Sequence, residues 1–480
     1  MRMTRREWLG VAAVAAAWPA TAQTDVQAGP ETFKAYTDAP RLFLSAARLR
    51  LLRRERDRRS LRWEQFQTLW GADAQFPEFG WTAALRYQVA GEESAGRQAV
   101  TWATGKAGMA DAAISDGFVR QMALIADWCA PLMSAEDKRV VFARLEKAVT
   151  GGAVTGIAEA RTKTLAAIVL SETRPEVSEK ALREVYEGFW TARFIGGLRD
   201  GKLHVANADA YPMLELMHAF RDNLNFDLRE TFGKWFKDYP LIHILAHYPE
   251  PFPAAENEYR IPADAEIDKR GPDVTKATLS RAAELAMVAF DANAPETQLL
   301  QGFLMNDRFL MRGVLGIAYE MMWANPYQPG LSYYHVPLVA HDAVGGELFV
   351  RSAWEDDAAW LGFFGGQLQL FANGEVARVD PAAAHEPMDL GEAAVFFAHL
   401  ATRFKVPERK VASPTGDDDA GGGGGDAMAD VFIIGLEPGR RYHVEADGEG
   451  LFEASSDVGG IIYLPGLPAG AEVRFGLVTA

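Results

Sequence analysis

The stretch Glu347 to Pro381, ELFVRSAWEDDAAWLGFFGGQLQLFANGEVARVDP, decides how the chain divides. Apolar residues alternate in LFVRSAW, in AAWLGFF and in LQLFANG, with Asp-Asp and Asn-Gly between the runs. Period-two alternation broken by turn residues predicts antiparallel strands joined by tight turns. Asn373-Gly374 is the sharpest of these signals, because both central positions of a type I′ turn need positive φ. Upstream the apolar spacing is helical over roughly three hundred residues. Downstream, strands and turns continue.

Working upstream, Pro40-Arg41-Leu42-Phe43-Leu44 leads to Ser45, a good N-cap, and a helix from Ala46 through about Arg59. Nine arginines lie between Arg41 and Arg62 against Glu55 and Asp57. They read either as a solvated helix face with local pairs or as a rim that attracts a polyanion. About a dozen amphipathic segments follow, among them Val177–Phe194, Ala208–Asp222, Phe226–Asp238 and Val274–Asp291, with short breaks and no fixed-period repeat. Stacked antiparallel helix hairpins closing into an α/α toroid, whole or incomplete, are the natural arrangement. The expected fold class is therefore multi-domain α + β. It has a toroid-like helical domain over 40–340 and a C-terminal antiparallel β-sandwich over 345–480. The Asp/Gly tract at 415–428 reads as a flexible loop within the sandwich.

The first 22 residues read as an export signal. Arg5-Arg6 precedes the apolar run Leu9 to Trp18, and Ala20-Thr21-Ala22 is a small-x-small cleavage site. The pattern looks like a twin-arginine signal and predicts a mature periplasmic or secreted chain from Gln23; an ordinary secretory signal leads to the same compartment. No other apolar run reaches a membrane-spanning length. Cys129 is the only cysteine, which excludes an intrachain disulfide, and its helical spacing with Met122, Ile125 and Leu132 places it in a core.

The formal charge is −16, and −18 once Arg2, Arg5, Arg6 and Glu7 are set aside; from Glu347 onward 22 acids face 9 bases. Such a chain is a poor general binder of nucleic acid, so an acidic ligand needs a local basic surface.

Three clusters are candidates for chemistry. His243 and His247, four apart, suit a divalent metal with Glu256 or Glu258 nearby, or else line the helix bundle; apart from such a metal the sequence implies no cofactor. Glu215 and His218 read as a polar helix face, since a di-iron site needs two such motifs. Asn257-Glu258-Tyr259-Arg260 follows three prolines and reads as an irregular loop, where function often resides. A β-eliminating lyase needs a base for the C5 proton, an acid for the leaving oxygen and a group that neutralises the uronate. Tyr259 with His204 or His247 would supply the acid and base, while Asn207, Asn257 and Arg260 would hold the acidic sugar. A purely structural loop is the other reading. The eight tryptophans from Trp63 to Trp323 are either sugar platforms or core.

Taken together, the Pro40–Ser45 entry, the long helical body and Arg351-Ser352-Ala353-Trp354-Glu355-Asp356-Asp357-Ala358 crossing into a β region resemble the heparinase II/III-like polysaccharide lyases. The resemblance implies an α/α toroid followed by an antiparallel β-sandwich, and cleavage of acidic polysaccharide by β-elimination. The family's His-x-His-x-Asp cluster is expected soon after Ala359–Phe364; here Gly365-Gly366-Gln367-Leu368-Gln369-Leu370 runs straight on, with no histidine between His341 and His385. Three functions stay open: a divergent lyase, a glycan-binding protein without activity, and a toroid hydrolase using paired carboxylates.

Overall fold

The computed structural model describes residues 32–105, 116–250, 252–253, 258–267, 273–307, 311–380, 383, 386–398, 403–408 and 428–478. The signal-like segment, Asn257 and nearly all of the Asp/Gly tract lie outside the described residues. Helices come first: α1 Ala46–Asp57, α2 Leu61–Gly71, α3 Phe79–Ala90, α4 Glu93–Thr104, α5 Asp116–Trp128, α6 Ala135–Thr150 and α7 Ile157–Leu170. Next come α8 Pro175–Arg183, which passes through a π-helical stretch Glu184–Ile195 into α9 Gly196–Arg199, then α10 Asn207–Leu224 and α11 Gly233–Leu245. After a short hairpin of β1 Phe252–Pro253 and β2 Glu258–Tyr259 come α12 Val274–Phe290, α13 Pro295–Asp307 and α14 Gly316–Trp323.

Capping sets several of these starts. Ser45 and Ser60 accept from the backbone of the first turns of α1 and α2, and Ser134 with Asp137 forms a full capping box at α6. The segment expected as one helix over Phe226–Asp238 is instead a 3-10 turn, Leu228–Phe232, capped by Asp227, followed by α11. A side-chain acceptor there restarts the chain and moves the helix seven residues on.

Packing closes a ring. α3, α5, α7, α10, α12 and α14 each lie against the next, and α14 returns to α2 and α3. These inner helices are buried on nearly all sides, as in α7, where only Ala158 and Glu159 escape full burial, and in α14, where every residue is buried. α4, α6, α8, α11 and α13 form the outer layer. This is the expected α/α toroid.

The β region is deeper than a two-layer sandwich. Strands β3 Val339–Asp342, β4 Glu347–Arg351, β5 Trp360–Phe364, β6 Gln367–Ala372 and β7 Glu375–Val379 form an antiparallel meander. Its hairpin at Asn373-Gly374 has φ of +53° and +77°, as the type I′ reading requires. One face, with Phe349, Trp360, Phe364 and Phe371, joins the toroid core; the other packs Leu348, Val350, Leu361 and Phe363 on a second sheet. That sheet has the order β14-β11-β9-β8, from β8 Met388–Leu390, β9 Ala393–Phe397, β11 Met428–Ile434 and β14 Ile462–Pro468. Its β9 and β11 run parallel, unlike the other pairs. A third sheet, β10-β15-β12-β13, from β10 Arg403–Lys405, β12 Arg441–Ala446, β13 Glu449–Ser455 and β15 Glu472–Leu477, covers its far side. The middle sheet is thus buried on both faces, which is why AAVFF of β9 reads as a continuous apolar run. The meander is tied to the helices by Trp360 Nε1 donating to Leu245 O at 2.9 Å and Tyr248 Oη to Gln369 at 2.7 Å.

The polar face expected at Glu215 and His218 turns inward rather than to water. Both side chains are buried on α10, and Glu215 is the acceptor of a network along the toroid axis. Arg120 of α5 reaches it at 2.6–3.0 Å through three N–H···O contacts, Arg161 of α7 at 2.7 Å and Tyr211 Oη at 2.7 Å. Arg120 also reaches Glu78, on which Tyr319 of α14 donates. Burial by itself would raise the Glu215 carboxyl, yet the two guanidinium groups hold it at about 2. The tryptophans are likewise structural: Trp63, Trp81, Trp128, Trp190, Trp235 and Trp323 are buried, and Trp70 and Trp102 pack partly covered.

Replacing the shared acceptor, Glu215→Gln, leaves the buried Arg161 guanidinium without its carboxylate and Arg120 with Glu78 alone. A loss of about 3–5 kcal/mol is expected in chemical denaturation; a loss below about 1 kcal/mol would remove the network from its central place.

Candidate functional site

The β3–β4 hairpin sets two carboxylates against each other. In its register Asp342 pairs with Glu347, so two acids face one another across neighbouring strands on the side turned to the helices. Asp342 is held from both sides: Trp235 Nε1 of α11 donates to Oδ2 at 3.0 Å and Val344 N to Oδ1 at 2.9 Å. Glu347 has no such donors. Its side chain is only 12% exposed, and burial, then the charge of Asp342, push its carboxyl up to about 8. At neutral pH it is mostly a protonated acid.

His204 faces it from the loop between α9 and α10, with Nδ1 3.4 Å from Glu347 Oε1 and 45% of the side chain exposed. Burial by the surrounding walls lowers the imidazole, against the pull of Asp342 and Asp209, so the ring is a neutral base near pH 7. Asp209, in the first turn of α10, is raised by its burial. Tyr239, stacked on Trp235 with centroids 4.7 Å apart, is raised by burial and then by the charge of Glu347.

Close backbone approach fixes this corner. Gly201, at φ +64°, lies against Val458, so a side chain there meets the loop between β13 and β14. In the same loop Gly459 touches Gly346 of the β3–β4 turn, and Asp457 accepts from Gly459 N and Ile461 N at 2.9 and 2.8 Å. Three loops from three layers therefore converge beside His204.

Among the described residues, His247, Asn207 and Arg260 have polar partners outside this pair. His247 falls just beyond α11, bridging to Pro262 in the backbone, so it and His243 do not share a helix face. Its Nδ1 meets His243 O at 2.7 Å and its Nε2 lies 3.0 Å from Glu284 Oε1, with His243 Nδ1 3.7 Å from the same oxygen. Burial would raise Glu284, but the paired imidazoles hold it well below the usual carboxylate range. Among the described residues no group of three or more His, Cys, Asp or Glu is placed to hold a metal ion. Asn207 is the first residue of α10 and donates to Ala263 O at 2.9 Å. Arg260 is buried, donating to Pro249 O at 3.0 Å and pairing with Asp356. Tyr259 pairs in register with Phe252, so the segment expected as an irregular loop contains a strand; Asn257 lies outside the described residues.

The arginines of α1 are largely taken up locally. Arg53 and Arg56 donate to the carbonyls of Gln88 and Val89, Arg54 and Arg58 stack on Tyr327, and Arg48 lies over Trp323. Sequence reasoning passed over Glu347 and Asp342 because each is an ordinary strand-end acid until the register pairs them.

Because Glu347 is neutral in the fold but ionises near pH 4.3 when unfolded, its contribution is present at low pH and lost as pH rises through about 8. Glu347→Gln should therefore match the parent below about pH 4 and exceed it by on the order of 5 kcal/mol above pH 8. Denaturation curves across pH 4–9 check this; a pH-independent difference would contradict the burial argument.

No family model matches the chain, and no curated protein sequence does. A solved structure described as a glycoside hydrolase is similar at a TM-score of 0.30 and 9% identity, over 84% of this chain and 71% of that one. A likeness that distant carries no argument about chemistry. The fold and the site stand on their own geometry. Among the described residues no helix is long and apolar enough to cross a membrane.

Proposed function

We propose that this is an exported carbohydrate-active enzyme that cleaves acidic polysaccharide by β-elimination at uronic acid residues. The observation that carries the reading is a protonated Glu347 beside a half-exposed, neutral His204. His204 takes the C5 proton, the C4–O bond breaks as the C4=C5 double bond forms, and Glu347 protonates the departing oxygen. An acid raised toward 8 and a base held neutral are matched to work near neutrality. Tyr259 remains a proposed partner in proton transfer, and Asn207, Asn257 and Arg260 remain proposed holders of the sugar. His247 is the weaker choice, being buried against Glu284.

A hydrolase reading rests on a specific feature, the half-buried Asp209, whose charge acts on His204 and would make a second carboxylate with Glu347. Asp342 does not fit that role, since Trp235 and Val344 occupy it.

Incubation with alginate, heparan, chondroitin and pectic polymers, read by ultraviolet absorbance and by reducing ends, separates the readings. The lyase gives both signals, and His204→Ala and Glu347→Gln each lower the rate by about 10²–10⁴-fold. Reducing ends without absorbance would select the hydrolase. Neither signal, with retention on an acidic-polysaccharide column, would leave a glycan-binding protein.

A further inference from the structure

Arg351 ends β4 on the face turned to the helices and is fully buried. Its Nε donates to Ala353 O at 3.1 Å and its guanidinium lies 4.7 Å over the Trp354 ring, but Nη1 and Nη2 have no hydrogen-bond partner. Its nearest charged neighbours make this worse rather than better. Arg260 repels it, and the acids that act on it, Asp356 and Glu355, sit on the exposed turn outside, with Asp356 engaged by Arg260. A buried, unpaired charge is among the costliest features a fold retains. The two unpartnered Nη groups of one guanidinium fork are the arrangement that grips a carboxylate bidentately.

From Trp354, on which Arg351 lies, a run of ring contacts leads to the surface. Tyr333 packs edge-on against Trp354 at 5.0 Å and stacks with Tyr334 at 4.6 Å. Tyr334 is 55% exposed, a flat ring held in place by its neighbour. A pyranose packs its apolar face on such a ring, and its acidic group then reaches inward. We infer that the Arg351 guanidinium forms a carboxylate subsite for an acidic sugar, with Tyr334 as its platform and Asp356, held by Arg260, as an internal competitor that closes it. Phe349 stands between this subsite and Glu347 on the same strand and packs on Trp360, so the subsite is separate from the His204 corner. It shares with the proposed function only the acidic-sugar ligand.

Calorimetric titration of the full chain at low salt with glucuronate, glucose and acetate tests this. Glucuronate should bind at least tenfold more tightly than either glucose or acetate. Asp356→Asn, a surface change, should tighten glucuronate several-fold by removing the competitor. Tyr334→Ala, also at the surface, should weaken glucuronate about tenfold and leave acetate unchanged. Arg351→Gln should abolish binding while the melting transition stays cooperative. The inference is overturned if glucuronate binds neither the parent nor Asp356→Asn, if acetate matches glucuronate, or if Arg351→Gln binds as the parent does. Glu347→Gln should bind glucuronate normally. An inactive protein that still binds would remove only the enzymatic reading, and an active one that does not bind would remove only this one.

Discussion

Glu215 is the constraint from which the helical body follows. One carboxylate at the axis accepts from guanidinium groups on two other inner helices, so α5, α7 and α10 are registered to each other by charge as well as by packing. The network extends through Glu78 and Tyr319 to the helix that closes the ring. Apolar contact tolerates sliding, whereas a triad of buried charges has few acceptable geometries. The ring of apolar helices supplies the driving force, and the axis selects one arrangement of it.

The meander is the second organising surface. Its inner face covers the toroid with aromatic residues, yet at three positions on β3 and β4 it carries Asp342, Glu347 and Arg351. Each has a different degree of compensation: Asp342 is satisfied, Glu347 escapes by taking a proton, and Arg351 can do neither. Sequences that specify a fold well seldom leave such groups at a packed junction without a use. The proposed chemistry uses the protonated Glu347, and the proposed sugar subsite uses the uncompensated Arg351.

Much of the architecture was legible because it rests on local chemistry. Ser45 and Ser134 mark helix starts, Asn373-Gly374 marks a turn, and alternation in LFVRSAW marks a strand. The third sheet was not legible, because the apolar run of β9 does not say how many layers cover it. The π-helical stretch within the segment expected over Val177–Phe194 was equally hidden, as its sequence spacing remains amphipathic. At the site, His204 was found for its chemistry, but Glu347 owes its protonation to burial and then to a cross-strand partner five residues back. Glu215 and His218 were misread for the same reason: a helix face shows its polarity in sequence, not its direction.

Ring closure has a kinetic consequence. Arg62 of α2 binds Glu320 of α14 at 2.7 Å, across a sequence separation of 258. At a synthesis rate of about 5–20 residues per second, roughly 13–50 s separate the emergence of the two ends of the ring. Throughout that interval the faces of α2 and α3 that meet α14 have no native cover. Contacts this distant in sequence are slow to form, since loop closure must precede any gain from them. The nascent chain therefore exposes Trp81, whose native cover is Tyr319 with ring centroids 5.1 Å apart, for tens of seconds, which makes its early helices the segment most dependent on a chaperone's grip.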